Sequence, residues 1–233
     1  MIAGARIGIL GGTFDPVHAG HLEAGHAARR ALALSRVLLL PSRIPPHRVN
    51  PTASPYHRFA MAAMAVQGLE GFEVSDLELA ASGTSYTSET LERLHGAGLD
   101  RTQIFFITGA DAFADIETWY RFPAVLDLAH FVIVSRSGQE ASGLPARLPA
   151  LAARMRPGTP DAAAASKPTI FLVDWNTPAV SSTEIRRRAR AGEALSGLVP
   201  ATVERHIRQH RLYSSEAAGG RATAAADHLH GDN

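Results

Sequence analysis

The chain has 233 residues, enough for one sizeable hydrophobic core, and its 45% hydrophobic and 19% charged residues are typical of a soluble globular protein. Its formal net charge of +1 provides no long-range attraction for polyanions such as nucleic acids. The sequence has no cysteine, which excludes disulfides, thiolate metal sites and cysteine nucleophiles, and no run approaches the ~20 apolar residues of a membrane span. We therefore expect a cytoplasmic protein with neither a membrane nor a nucleic acid as partner.

Apolar runs alternate with helical patterns along the chain, and continuous apolar runs are typical of strands buried on both faces of a parallel sheet. The predicted strands are residues 6–10, 36–40, 103–108, 131–135 and 169–173. The predicted helices among them are residues 20–33, 56–67 and 87–94. This alternation predicts an α/β fold, a Rossmann-like, doubly wound parallel sheet with helices on both faces.

Two segments differ in composition from the rest. Residues 137–168 are rich in Ala, Pro, Arg and Gly, and we interpret them as an insertion or loop in which residues 148–155 form a helix and residues 157–167 a loose surface loop. The tail, residues 214–233, is small and polar, so we expect disorder there and a solvated role for His228 and His230. We therefore expect a single domain over residues 1–213.

The last part of the domain is basic and helical. Ser181 and Glu184 form a capping-box pattern at the start of a helix. Gly192 is a plausible stop at the end of that helix. Free N–H groups at such a helix start favour an anion. Residues 200–212 are the final predicted helix, and the arginines at 187, 188 and 190 fit a solvated helix face better than a binding patch.

The segment GGTFDPVHAGH, residues 11–21, follows the first strand. Gly11 and Gly12 would let a ligand approach the backbone at the carboxyl end of the sheet, although a plain tight turn explains them equally well, and the spacing is not G-x-G-x-x-G. His18 and His21 lie on one helix face at this spacing. Three interpretations of the two histidines remain open. They are a capping histidine with a core histidine, a metal-binding pair without a third ligand, or two donors to phosphate oxygens.

Residues 11–21 resemble the opening signature of the nucleotidylyltransferase superfamily, with its (H/T)-x-G-H core. The segment VSSTEIR, residues 180–186, resembles the second signature of that superfamily, I-S-S-T-x-I-R. Three further segments are similar to motifs of the bacterial nicotinate-nucleotide adenylyltransferases: PSRIPPHR at 41–48, SYTSETL at 85–91 and GADAFADIETWY at 109–120. Arg48 stands where that family usually has Lys, which keeps the charge but not the shape.

The resemblance implies transfer of AMP from ATP to nicotinate mononucleotide, giving deamido-NAD and pyrophosphate in NAD biosynthesis. The 5′-phosphate of the mononucleotide would attack the α-phosphorus of ATP in line, without a general base or a covalent intermediate. This agrees with a sequence that has no evident nucleophile–base set. Mg²⁺ would be the cofactor, held mainly by phosphates and water rather than by the protein.

The resemblance also implies the site residues. ATP would be bound by Gly11, Gly12, Thr13, Phe14, His18, His21, Gly109, Asp111, Ser181, Ser182, Thr183 and Arg186, of which His18, His21 and Arg186 would be catalytic. Nicotinate mononucleotide would be bound by Asp15, His47, Arg48, Ser85, Tyr86, Thr87, Trp119, Tyr120 and Arg136. Trp119 would stack on the pyridine ring, and the backbone N–H groups of Thr87 and Tyr120 would receive its carboxylate.

Other interpretations remain. An adenylyltransferase for nicotinamide mononucleotide or phosphopantetheine shares the two signatures, and a non-catalytic nucleotide sensor could share the fold. Trp119 and Tyr120 could be core aromatics and Asp111 a helix cap. A nucleic-acid module based on residues 186–190 conflicts with the near-neutral charge. The sequence leaves open whether the chain forms a homo-oligomer.

Overall fold

A computed structural model describes residues 5–46, 51–136 and 138–214. Across these ranges seven parallel strands form one sheet in the order β3-β2-β1-β4-β5-β7-β6. The strands are β1 Ile7–Gly12, β2 Arg36–Pro41, β3 Phe72–Val74, β4 Ile104–Gly109, β5 His130–Val134, β6 Met155–Pro157 and β7 Ile170–Val173. The helices are α1 Ala19–Leu32, α2 Pro55–Val66, α3 Thr87–Gly96, α4 Ala110–Phe113, α5 Leu144–Arg147, α6 Ser182–Arg190 and α7 Ala201–Gln209. The predicted Rossmann-like α/β fold is confirmed.

Alternate side chains of the strands point to opposite faces of the sheet and form a separate hydrophobic core on each face. In β4, Phe105 and Ile107 pack into one core, while Ile104 and Phe106 pack into the other. Successive side chains of a strand point to opposite faces, so an all-apolar strand needs cover on both. This is why the five predicted runs are strands, each within two residues of its predicted bounds.

Two short strands were missed, β3 Phe72–Val74 and β6 Met155–Pro157. Each has three residues and lies at an edge of the sheet, which is too short for an apolar run to stand out. The predicted helices at 20–33, 56–67 and 87–94 correspond to α1, α2 and α3. The last helix is shorter than predicted, because α7 ends at Gln209 rather than at residue 212.

The interpretation of residues 137–168 as an insertion or loop overlooked regular elements in that segment. The segment contributes α5, then the 3₁₀ helix Pro149–Arg154 within the predicted helix at 148–155, and then strand β6 beside β7. Within the predicted loose loop, Ala163 is buried in one core. Small and apolar side chains can pack against a sheet without showing helical or strand periodicity, which explains the error.

The positions at 215–233, including His228 and His230, lie outside the described residues. No helix in the described part of the chain is both long and apolar enough to cross a membrane.

Candidate active site

A cavity of about 750 Å³ lies at the carboxyl ends of the central strands. It adjoins β1 and β4, which are neighbours at the point where the chain turns from one half of the sheet to the other. In open α/β sheets this switch point is where ligands bind. A smaller cavity of about 390 Å³ shares Ser135, Arg136 and Thr177 with it and therefore lies next to it.

Most of the residues implied by the resemblance line the larger cavity. They are Gly11, Gly12, Thr13, Phe14, His21, Ser85, Tyr86, Thr87, Gly109, Asp111, Trp119, Tyr120, Arg136, Ser181, Ser182 and Thr183. Asp15, His18 and Arg186 do not line the cavity but lie behind its wall. His47 and Arg48 fall outside the described residues. The fold thus brings together motifs that are more than 150 residues apart in sequence.

The two glycines end strand β1 and serve packing as well as access. A side chain at Gly12 would lie 3.1 Å from the ring of Phe14, and one at Gly11 would lie 3.2 Å from the ring of Phe106. Phe14 has a φ of +49° and is buried, so the chain turns sharply there to place its ring beneath the cavity. The glycines therefore leave bare backbone at the cavity wall because aromatic rings occupy the space beside them.

His21 occupies the first turn of α1, directly after the cap of that helix. Its Nδ1 accepts the backbone N–H of His18 at 3.3 Å, and its ring stacks on the ring of His18 with centroids 3.7 Å apart. A neutral imidazole that accepts at Nδ1 carries its proton on Nε2. The fold thus selects the tautomer in which Nε2 of His21 carries the proton.

His18 is the N-cap residue of α1 and is fully buried. Burial, followed by the positive charge of Arg136, lowers the pKa of His18 to about 3. The ring is therefore neutral at physiological pH. Neither of its ring nitrogens has a hydrogen-bond partner within the described ranges, a costly state for a buried polar group. His18 thus keeps an unused N–H donor directly beside His21.

Helix α6 begins at the cavity with the predicted cap. The hydroxyl of Ser181 accepts the backbone N–H of Glu184 at 3.2 Å, while the hydroxyl of Ser182 donates to the carbonyl of Pro16 at 3.0 Å. The N–H groups of Ser182 and Thr183 belong to the first turn and have no partner within the helix. The backbone at this helix start is therefore better placed to bind an anion than the hydroxyls.

Arg186 is anchored on the same helix. Its guanidinium donates to the backbone carbonyl of Asp15 at 2.7 Å and to the hydroxyl of Thr183 at 3.2 Å. Its side chain is 26% exposed. Arg186 thus stands one layer behind the residues that line the cavity, with its charge close to the start of α6.

The side chain of Asp15 is not at the cavity wall, where contact with a mononucleotide was expected. Its carboxylate is 5% exposed and accepts the N–H groups of Thr52 and Ala53 at 2.8 and 3.1 Å and the hydroxyl of Tyr213 at 2.8 Å. A buried carboxylate needs such donors to offset its lost hydration. The protein itself uses this carboxylate to join the turn after β1 to the start of α2 and to the end of the described chain.

The starts of α1, α3 and α6 surround the cavity, since Gly20, Thr87 and Ser182 all line it. Each helix start has a partial positive charge from its unpaired N–H groups. Among the described residues, the charged side chains that line the cavity are Glu78, Asp111, Asp115 and Arg136. Because carboxylates outnumber arginine here, helix starts supply much of the attraction for an anionic ligand.

Aromatic side chains also line the cavity. Trp119 is half-buried, with its ring edge-on to Phe106 at 6.1 Å between centroids. Tyr120 is exposed, and its ring lies 4.4 Å from that of Tyr86. Trp119 thus lies at the margin of a core and also lines the cavity.

The interpretation of Asp111 as a helix cap is wrong. Gly109 is the N-cap of α4, and the Asp111 side chain makes no cap bond. Its Oδ1 is buried at the cavity without a partner in the part of the chain that is described. A side chain at Gly109 would clash with this carboxylate, so the glycine leaves the space that Asp111 occupies.

Sequence reasoning missed two buried charged residues beside the cavity. Glu78 lines it, accepts the hydroxyl of Thr90 at 2.7 Å, and has a pKa that burial raises. Arg58 is fully buried and binds backbone carbonyls next to the cavity. For Arg58 a signal was available, because it stands on the apolar face of the α2 pattern with Met61 and Ala65.

Two of the weaker interpretations find little support in the geometry. Arg187 and Arg188 are paired with Glu184 and Glu193, which is typical of a solvated helix face. Among the residues with described positions, no group of three or more His, Asp or Glu side chains is arranged to hold a metal ion.

The cytidylyltransferase-like family model matches residues 9–188, which include every residue that lines the larger cavity. A relative from Desulfitobacterium hafniense, named "Probable nicotinate-nucleotide adenylyltransferase", is 41% identical over 209 residues, covering 89% of this chain and 95% of the relative. A relative of the same name from Pseudomonas aeruginosa is 39% identical over 211 residues, covering 90% of this chain and 98% of the relative.

Solved structures share the fold. The nicotinic acid mononucleotide adenylyltransferase of Plasmodium falciparum, complexed with NaAD, superposes with a TM-score of 0.68 at 17% identity, covering 90% of this chain and 97% of that one. The same enzyme complexed with APC superposes with a TM-score of 0.67.

Proposed function

The chain belongs to the cytidylyltransferase-like family, among relatives named nicotinate-nucleotide adenylyltransferases, and from this premise we propose that it transfers AMP from ATP to nicotinate mononucleotide. The products are deamido-NAD and pyrophosphate, as in NAD biosynthesis, and the proposed compartment is the cytoplasm. One observation carries the proposal: a single cavity joins an anion-binding side, formed by His21 and the start of α6, to an aromatic side formed by Trp119 and Tyr120.

The reaction needs alignment and charge neutralisation more than proton transfer. An oxygen of the mononucleotide 5′-phosphate forms a bond to the α-phosphorus of ATP, and the bond from that phosphorus to the bridging oxygen breaks as pyrophosphate leaves. The attacking oxygen is already anionic at neutral pH. The protein therefore has to hold the two phosphates in line and stabilise the charge that grows on the leaving group.

His21 and the start of α6 supply that stabilisation in our proposal. The Nε2–H of His21 donates to a phosphate oxygen, and the neutral His18 ring, buried behind the cavity wall, stacks on His21 and holds it in this orientation. The backbone N–H groups of Ser182 and Thr183 bind the β- and γ-phosphates, with Arg186 adding positive charge from behind. Gly11, Gly12 and Thr13 let the nucleotide lie against the end of β1.

Mg²⁺ fits this arrangement as an ion that arrives with ATP. It keeps several waters and binds phosphate oxygens, so it needs few protein ligands. The buried Oδ1 of Asp111, with no partner in the described ranges, could accept from a water on the ion or from a ribose hydroxyl. The ion supplies neutralisation of the phosphate charge, while His21 and α6 orient the phosphates.

The aromatic side holds the acceptor substrate. Trp119 stacks on the pyridine ring, and the N–H groups of Thr87 and Tyr120 donate to its carboxylate. Thr87 is the first residue of α3, so its N–H has no partner within the helix. N–H donors match a carboxylate and leave the NH₂ of a carboxamide poorly paired, which favours the acid over the amide. Arg136 is proposed for the phosphate of this substrate.

A pyrophosphate-release assay with ATP and Mg²⁺ tests the proposal, with nicotinate mononucleotide and nicotinamide mononucleotide supplied in separate reactions. Release with strong preference for the acid supports both the reaction and the carboxylate pocket. Equal release with both substrates would contradict the role of Thr87 and Tyr120. No release with either substrate would contradict the proposed function. Phosphopantetheine would then be the next acceptor to test. After that, an ATP-binding measurement would test for binding without turnover, which is the property of a sensor.

A further inference from the structure

Arg58 connects parts of the chain that are far apart in sequence. It lies on α2 without solvent exposure, and its guanidinium donates to four backbone carbonyls. The acceptors are Thr13 at 2.7 Å, Ser42 at 2.7 Å, Arg43 at 3.1 Å and Ala53 at 3.3 Å. A planar guanidinium with five fixed donors can make such a set of bonds, whereas a flexible ammonium cannot.

These acceptors belong to two loops that both line the cavity. Thr13 lies in the turn after β1, on the ATP side. Ser42 and Arg43 lie in the loop after β2, which also lines the cavity through Pro45 and Pro46. Arg58 therefore stands between the two loops and bonds directly to both.

The loop after β2 is bonded in turn to the segment that carries Thr87. The backbone N–H of Arg43 donates to the hydroxyl of Ser85 at 2.9 Å, and the N–H of Ser85 donates to the carbonyl of Ile44 at 2.8 Å. The Arg43 guanidinium donates to the carbonyls of Leu79 and Ala81 at 3.0 and 2.9 Å. A shift of the loop after β2 would therefore be passed on to the proposed pocket for the pyridine carboxylate.

The charge of Arg58 is costly where it lies. Burial lowers the pKa of its guanidinium, and the carboxylate of Asp15 acts against that shift. An apolar side chain of similar length could fill the space without this desolvation cost, but it would bond neither loop. At this position the guanidinium therefore provides hydrogen bonds that hold the two loops in a fixed geometry, and not packing alone.

We infer that Arg58 is a positioning residue for the transfer, which fixes the distance between the turn after β1 and, through the loop after β2, the proposed pocket for the pyridine carboxylate. The inference rests on the proposed function, because only a reaction between two bound substrates is sensitive to that distance. A displacement of about 1 Å between reacting groups can cost roughly 100-fold in rate. Binding of each substrate alone depends on one loop at a time and is far less sensitive.

The test is Arg58→Lys, with Arg6→Lys as the matched control. Arg6 also donates to two backbone carbonyls, those of Leu32 and Pro160, away from both substrate loops. We expect kcat to fall roughly 10- to 100-fold in Arg58→Lys, with both KM values within about threefold of wild type, and no change in Arg6→Lys. Turnover is expressed per ATP-binding site, counted by calorimetric titration, so that unfolded protein does not lower the measured kcat.

Equal kcat in wild type, Arg6→Lys and Arg58→Lys would overturn the inference while leaving the proposed function intact. A loss of affinity for both substrates without a loss of kcat would overturn it as well. If Arg58→Lys does not fold, Arg58→Gln is measured at low temperature with ATP present, and failure of both variants to fold would assign Arg58 to the fold instead. Wild-type protein without turnover on nicotinate mononucleotide would refute the proposed function itself, whatever the variants do.

Discussion

The rings of His18 and His21 lie face to face, with centroids 3.7 Å apart and planes inclined by 26°. The backbone N–H of His18 also donates to Nδ1 of His21. One histidine thus caps the helix and orients the other, which determines the tautomer of His21 at the cavity. The spacing in the sequence predicted that the two share a face, and the structure adds that they act as one unit.

His21→Ala is expected to leave a folded protein and to lower kcat by roughly 10²–10³-fold, because it removes a donor to charge that develops in the transition state. Steady-state pyrophosphate release measures this, with Glu23→Ala on the same helix as the control. Near-wild-type turnover in His21→Ala would refute the role assigned to its Nε2.

Buried neutral histidines predict a pH dependence of stability. Burial, followed by the charge of Arg6, lowers the pKa of His130 to about 4, and that of His18 is about 3. In the unfolded chain both pKa values return to ~6.5, so the unfolded state binds more protons between these limits. Stability is thus full above pH 6.5 and falls as the pH drops, by about 1.4 kcal/mol per unit for each histidine.

His130→Asn isolates one of these contributions. Nδ1 of His130 accepts the N–H of Thr169 at 3.1 Å, and an amide oxygen can accept the same bond. Urea unfolding between pH 6.5 and 5 gives the free energy of unfolding as a function of pH. This free energy should change less steeply with pH in the variant than in wild type, by the equivalent of about one bound proton. Identical slopes in the two proteins would show that His130 is not a neutral buried base.

Trp119→Ala is expected to raise KM for nicotinate mononucleotide by about tenfold and to leave ATP affinity unchanged. Stacking on a base is worth ~1–3 kcal/mol, and the lost ring belongs to the acceptor side of the cavity. Steady-state kinetics and ATP titration measure the two quantities, with the exposed Tyr56→Ala as control. A fall in ATP affinity instead would place the pyridine ring elsewhere.

Tyr213→Phe is expected to lower the free energy of unfolding by about 1.5–3 kcal/mol, because it removes a buried hydrogen bond to a charged acceptor. The hydroxyl donates to Asp15 at 2.8 Å, and it joins the end of the described chain to the turn after β1. Urea denaturation of this variant and of Tyr56→Phe, whose side chain is exposed, makes the comparison. Equal stability of the two variants would contradict this bond.

The sequence predicted the strands and helices that have a clear hydrophobic pattern and the segments that match a family motif. Strand β4 is visible as an unbroken apolar run because both faces of the sheet are covered. Residues from the motifs at 11–21 and 180–186 line one cavity, although Asp15, His18 and Arg186 do not. The sequence did not predict the inward turn of Asp15, since its donors Thr52 and Tyr213 come from distant segments. The place of Arg58 on the apolar face of α2 indicated that it is buried, but its partners are backbone carbonyls, which have no signature in a sequence.

The most direct test of the account is exchange of labelled pyrophosphate into ATP, measured with and without nicotinate mononucleotide. If the cavity holds both substrates for a single in-line transfer, the label enters ATP only when the mononucleotide is present, because pyrophosphate can return only by attacking the dinucleotide product. Exchange with ATP and Mg²⁺ alone would reveal an adenylylated protein and would contradict direct transfer.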